Sequence, residues 1–149
     1  MNTYHLLATI HLLANAMVLG GVFMNVFIVW PAAKATLGRT GFLLEFLVNE
    51  GRRIAPWIYA GLGAILVSWI GLLLVHPPVT GADDVRLGVR FLAYAVMLGN
   101  TLYATLRVWP ALQFSTEDEA WPLWAGYLRL GRATFAGGLV LFVLGAWQK

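Results

Sequence analysis

The chain has 149 residues, of which 60% are hydrophobic and only 11% are charged, and its net charge is +3. Ordinary soluble domains carry roughly 25% charged residues. So few charged side chains cannot cover the surface of a soluble protein of this size. The composition therefore predicts an integral membrane protein. The basic residues flank apolar runs and form no single face, which argues against nucleic-acid binding. The chain has no cysteine, so disulfides, thiolate metal sites and iron–sulfur clusters are excluded.

Four long runs without a formal charge predict four transmembrane helices in one all-α domain. The predicted spans cover residues 6–31, 54–76, 87–109 and 127–147 of the single domain 1–149. The third and fourth spans are short, but Arg or Lys flanks them and Trp109 and Trp147 can anchor their ends at the interface. The chain begins without a basic residue, so we expect its first run to stay as a membrane helix and not to act as a signal peptide.

The distribution of basic residues predicts the orientation. The two connections at residues 34–53 and 107–132 hold seven of the ten Lys and Arg residues. Because positive charge concentrates on the cytoplasmic side of membrane proteins, both connections are expected in the cytoplasm and both termini outside. The predicted location is the bacterial inner membrane.

Both connections contain local motifs. Residues 41–53 have an amphipathic pattern, which either extends the second helix or lies at the membrane interface. Thr116 and Glu119 have the spacing of a capping box. Trp121 and Trp124 are expected at the interface.

The sequence repeats at an offset of 79 residues. Residues 11–20 align with residues 90–99, and Val-Trp-Pro-Ala recurs at Val29 and Val108. Two matches at one offset indicate a four-helix bundle made of two duplicated helical hairpins, which are parallel repeats. The halves cover about residues 5–76 and 84–149. The proline of each Trp-Pro pair is expected to end its helix, because proline cannot continue the hydrogen-bond ladder.

The two halves differ at positions that suggest a site. Arg90 stands where the first half has His11, and Tyr94 stands where it has Asn15. Helix packing needs neither an imidazole nor a guanidinium, and a charge at membrane depth needs a partner. The expected partner of Arg90 is Asp83, Asp84, a haem propionate, a quinone or a lipid headgroup. Alternatively, the side chain snorkels to the outer headgroups.

At these residues the chain resembles the CopD-like and HemJ-like group of small four-helix bacterial membrane proteins. The first helix of that group carries a His, then Gly-Gly, then a Pro at its inner end, and these match His11, Gly20, Gly21 and Pro31. A later helix of the group opens with a basic residue, usually Lys, and Arg90 stands at that position. The resemblance covers all four spans.

The resemblance implies a function in membrane redox chemistry or metal handling. HemJ-like members imply haem b binding and protoporphyrinogen oxidation, and CopD-like members imply copper uptake. We expect an accessory protein of redox metabolism and electron transport, without catalytic activity of its own, that binds haem b near the outer face. The alternatives are a purely structural subunit and a copper uptake protein, for which Met17 and Met24 offer soft ligands. The expected partners are membrane lipid and other membrane subunits or further copies of the chain.

Three histidines are candidate cofactor and metal ligands. Two imidazoles on facing helices can hold a haem iron axially, and His11 with His76, or His5 with His76, forms such a pair. His5 and His11 lie about 240° apart around one helix, at ~100° per residue, so they cannot face the same iron. His11 alone, with an open sixth position, is a further arrangement. Arg90 completes the predicted cofactor-binding set. In the simpler packing interpretation His5 and His76 are interfacial, and His11 is a hydrogen-bonded packing residue.

Polar and small residues in the spans predict helix contacts. Asn15, Asn25 and Asn100 are expected to hydrogen-bond between helices. Glycines such as Gly61 and Gly63 permit close helix approach, either within the bundle or against a larger complex.

Overall fold

The structure, a computed structural model, describes residues 2–75 and 81–146. Over these residues the chain forms four long helices and no strand. The helices are α1 (Thr3–Leu37), α2 (Gly41–Val75), α3 (residues 81–114) and α4 (Glu117–Ala146). Each of them contains a stretch that is long and apolar enough to cross a membrane. The four-helix membrane bundle predicted from the uncharged runs is therefore confirmed.

Local features cap the helix ends at the two described connections, which follow Leu37 and Phe114. Gly38 ends α1 with a φ of 65°, a backbone conformation that strains any other residue. Since α2 begins at Gly41 and runs without a break, residues 41–53 extend the second helix. The Glu119 carboxylate accepts a hydrogen bond from the Thr116 N–H over 3.0 Å, which confirms the predicted capping-box contact. This N–H stabilises the carboxylate and lowers the pKa of Glu119 below its usual value.

A wide π-helical turn precedes each Trp-Pro pair, at Met24–Val29 in α1 and at Ala104–Val108 in α3. The expectation that Pro31 and Pro110 end these helices is wrong, since both helices continue beyond the proline. The wide turn lets the α-helix restart, so each proline occupies a first-turn position where no N–H donor is needed. The two turns end 79 residues apart, in agreement with the duplication.

The helices pack unevenly around the bundle. α1 packs against both α2 and α4, and α3 packs against α4. Glycines allow the closest approaches: Gly61 of α2 lies against Val18 of α1, and Gly137 of α4 lies against Met97 of α3. The backbones of α2 and α3 come less close, and we call the space between them the α2/α3 seam.

Side-chain hydrogen bonds bridge the α2/α3 seam. Tyr59 Oη of α2 donates to Thr105 Oγ1 of α3 over 2.9 Å. Further along the bundle, Tyr94 Oη of α3 donates to the Leu62 carbonyl oxygen of α2 over 3.0 Å. Hydrogen bonds thus bridge the α2/α3 seam at two levels along the bundle.

An aromatic cluster closes the Trp-Pro end of the bundle, where the Trp-Pro pairs lie. Trp124 is only 1% exposed, with its ring centroid 4.8 Å from that of Tyr127 and 5.5 Å from that of Trp30. Trp124 therefore faces the interior of the bundle and not the lipid headgroups, while its depth in the membrane stays a prediction. Its apolar surroundings are the interior of the bundle, because α4 turns this residue towards α1 and α3.

Candidate functional site

His11 of α1 faces α2 and is held there by a serine. Its Nδ1 atom lies 3.0 Å from Ser68 Oγ. The Ser68 hydroxyl donates to the Ala64 carbonyl oxygen over 2.6 Å, a usual contact for serine inside a helix. When the Ser68 proton is donated to the Ala64 carbonyl oxygen, the matching His11 tautomer has Nδ1–H donating to Ser68 Oγ, and Nε2 keeps its lone pair. In this tautomer the serine orients the ring, and Nε2 is the unprotonated nitrogen that can bind a metal.

Arg90 of α3 brings a positive charge to the same region. Its Nη2 atom donates to the Leu144 carbonyl oxygen, near the C-terminal end of α4, where the helix dipole favours a cation. No carboxylate contacts Arg90 among the side chains described at residues 2–75 and 85–145, and the side chains of Asp83 and Asp84 lie outside that set. The Arg90 Nε atom is buried without a hydrogen bond. The guanidinium lies near enough for its charge to act on the His11 imidazole. Arg90 and His11, which occupy matching positions in the repeat halves, thus lie in the same part of the bundle.

Three further buried polar atoms of the described residues lack a partner: Asn15 Oδ1 and Trp69 Nε1 in this region, and Trp124 Nε1 at the Trp-Pro end of the bundle. Asn15 Nδ2 donates to the His11 carbonyl oxygen of its own helix over 2.9 Å, so the expected bond to another helix is not formed. Trp69 packs against Tyr94, with ring centroids 6.4 Å apart. Buried polar atoms without partners are rare, and each calls for a bound water, an ion or a ligand. The group that we name the His11 cluster comprises His11, Asn15, Ser68, Trp69, Arg90 and Tyr94.

The other predicted histidine ligands do not join this cluster in the described chain. His5 is exposed in the first turn of α1, with its ring centroid 5.6 Å from that of Tyr4. His76 lies outside the described residues. Among the side chains described at residues 2–75 and 85–145, no three His, Asp or Glu residues converge on a common metal position. The His11–His76 and His5–His76 pairs stay predictions.

The methionines suggested as copper ligands have separate surroundings. Met17 lies against Gly61 of α2, and Met24 is 48% exposed. These two residues are seven positions apart, or roughly 10 Å along the helix, whereas the ligands of one ion must converge. Met97 is buried against Gly137 and fills a gap in the core.

A second polar region, in the half of the bundle nearer the Trp-Pro end, involves a residue that sequence reasoning missed. Asn25 Nδ2, in the π turn of α1, donates to Glu50 Oε2 of α2 over 2.7 Å. Asn100 Nδ2 of α3 lies 3.4 Å from Thr134 Oγ1 of α4. The expectation that Asn25 and Asn100 bond between helices is confirmed. Glu50 was not predicted as a partner; the available signal was its position four residues before an uncharged run, on a segment that continues the helix.

A cavity of about 80 Å³ adjoins these polar side chains, and all four helices contribute to its wall. Its polar lining includes Asn25, Asn100, Thr134 and Tyr127. A volume of this size has room for a few water molecules, which need two to four polar partners each. The lining can supply such partners to water or to a small polar group.

Comparison of the chain with protein-family models, with curated proteins and with solved structures finds no match. The fold and the helix composition define the class of protein, a multi-pass membrane protein with a four-helix bundle. The CopD-like or HemJ-like resemblance stays a prediction from the residues that carry it.

Proposed function

We propose that this multi-pass membrane protein binds one haem b at the His11 cluster and serves as an accessory, electron-carrying subunit in the bacterial inner membrane. The observation that carries the proposal is the contact between His11 Nδ1 and Ser68 Oγ. The contact orients the imidazole, and in the tautomer where Nδ1 donates to Ser68 it leaves Nε2 available as a ligand, as a hydrogen bond to a ligating histidine does at metal sites.

The unpaired polar atoms of the cluster fit the chemistry of this group. Arg90 Nε and Trp69 Nε1 are buried donors without acceptors, and carboxylates such as haem propionates are strong acceptors for them. Arg90 would also balance negative charge at membrane depth, where an uncompensated ion is costly. A haem b bound there would carry single electrons at a potential tuned by its buried surroundings. The resemblance of His11 and Arg90 to the HemJ-like pattern supports the same interpretation.

A reduced-minus-oxidised visible spectrum of the purified protein tests the proposal. We expect a Soret and an α band at near-stoichiometric haem in the wild type, and their loss in His11→Ala. His5→Ala is the matched control, because His5 lies on the same helix but is exposed; it should keep the bands. Ser68→Ala should keep the haem but shift its band positions or potential, since the ring loses its orienting partner. A colourless wild type, or equal loss in both histidine variants, would overturn the haem site.

A structural subunit is the second candidate, and the outer surface of α2 favours it. Ala60 is exposed, and a Cβ added at Gly63 would meet nothing within 4 Å. Small residues on a membrane-facing surface allow another helix to approach closely. Co-purification in mild detergent tests this function: loss of a bound membrane partner in Gly63→Leu, with the bundle still folded, would support docking at α2. A wild type that elutes alone at the size of one chain would contradict it.

A further inference from the structure

A groove of about 410 Å³ runs along the α2/α3 seam near the Trp-Pro end. Its walls are small or apolar side chains from both helices, including Ala55 of α2 and Trp109 of α3. The Trp109 ring lies over Gly51, where even a single Cβ would overlap it. The ring thereby keeps the two helices apart and leaves the groove beside it.

The groove carries a charge at one end only. Arg52 and Gln113 line it near the Trp-Pro end, and the Tyr59–Thr105 hydrogen bond crosses it at the deeper end. Arg52 is exposed, and none of the described residues forms a hydrogen bond or an ion pair with its guanidinium. An exposed cation therefore stands at the mouth of an apolar channel.

The direction and length of the groove match a lipid chain. α2 and α3 run antiparallel along the seam, so the groove follows the helix axes as acyl chains do in a bilayer. From Arg52 to Tyr59 the helix rises by roughly 10 Å, at 1.5 Å per residue. An acyl chain fits such a channel with its first carbons, while the headgroup stays at the level of the basic residue.

We propose that the α2/α3 groove binds one acyl chain of an anionic phospholipid whose phosphate is held by Arg52. A guanidinium is well suited to this partner, because its planar donors match two phosphate oxygens. This site lies near the Trp-Pro end, whereas the His11 cluster lies towards the other end, so the proposal is independent of the haem site.

Native mass spectrometry of the full chain in mild detergent, with equal amounts of phosphatidylglycerol and phosphatidylcholine of identical chains, tests the site. The wild type should retain phosphatidylglycerol in preference to phosphatidylcholine. Arg52→Gln should lower that preference about fivefold, the factor that one basic residue near an anionic surface supplies. The matched control Arg53→Gln removes an exposed neighbouring charge that does not line the groove, and it should leave the preference unchanged.

A second variant tests the apolar channel separately from the charge. Ala55→Leu adds side-chain volume to the groove wall and should reduce retention of both lipids, with circular dichroism showing that the helices are kept. Equal loss of preference in the two arginine variants would mean diffuse attraction to headgroups and would overturn the site. A wild type that binds both lipids equally would do the same. If the wild type retained inorganic phosphate as strongly as phosphatidylglycerol, the site would bind a small anion, and the lipid proposal would be overturned.

Discussion

Two glycines of α2, two positions apart, should respond in opposite ways to the same substitution. A Cβ added at Gly61 would overlap Val18 Cγ2 and would lie 3.0 Å from Met17 Cε on α1. Val18 is completely buried, and its β-branched side chain has few rotamers to choose from. A Cβ added at Gly63 would meet nothing within 4 Å. Gly61→Ala and Gly63→Ala are therefore a matched pair.

The expected magnitudes follow from packing and helix propensity. Replacing glycine with alanine in a helix is worth about 1 kcal/mol in favour of folding, and both variants share this gain. Overpacking a tight contact costs about 1–3 kcal/mol, because side chains or helices must shift. Only Gly61→Ala incurs this cost. The free energies of unfolding of the two variants should thus differ by about 1–3 kcal/mol, with Gly63→Ala the more stable.

Thermal melting in mild detergent, followed by circular dichroism, measures this difference. In a chain of this size each kcal/mol corresponds to roughly 2–4 °C in Tm. Gly63→Ala should melt at or slightly above the wild-type temperature, and Gly61→Ala should melt clearly below Gly63→Ala. If Gly61→Ala melted at the same temperature as Gly63→Ala, or higher, the close packing of α1 on α2 at Val18 would be refuted.

Three hydrogen bonds give further predictions. Tyr59→Phe should lower the free energy of unfolding by about 0.6 kcal/mol, the average for hydrogen bonds between membrane helices. A double-mutant cycle with Thr105→Val should show coupling between the two residues, and purely additive losses would contradict the hydrogen bond across the seam. Asn25→Ala leaves the half-buried Glu50 without its hydrogen-bond donor and should lower the free energy of unfolding by about 1–3 kcal/mol, measured by thermal melting. An unchanged Tm would show that water replaces the amide. The pKa of Glu119 is lowered in the folded chain, so its contribution to stability is complete above the unfolded pKa and is lost as the pH falls through the folded pKa. Melting from about pH 6 to about pH 3, around the usual range of a glutamate, should therefore show a shallower acid loss for Glu119→Gln, and parallel curves would count against the capping contact.

The parts of the fold that sequence reasoning found depend on local composition. The uncharged runs predicted four helices because a bilayer-spanning segment must satisfy its own backbone hydrogen bonds and must be apolar along its whole length. The contact of Glu119 with Thr116 was predictable because both partners lie within one helical turn. The expectation at Pro31 was wrong, since the rule that proline ends a helix ignores the π turn that accommodates it.

The candidate site was predictable only in part. His11 and Arg90 were found because they break the repeat, and the structure places them in the same part of the bundle. Ser68, which orients the imidazole, carries no signal of its own in the sequence, because a serine in an apolar helix usually bonds its own backbone. Its contact with His11 depends on how α1 and α2 are rotated against each other.

The sequence by itself determined the class of protein, the number of membrane helices and the positions where the two halves differ. These properties depend on the hydropathy and the type of the residues along the chain. They can be predicted without knowing which helices pack against each other. Only the tertiary structure decided that Asn25 meets Glu50, that Trp124 is buried, and that α2 and α3 leave a groove between them. The physical reason is that such contacts depend on helix rotation and spacing, which are fixed by side chains from all four helices packing at once.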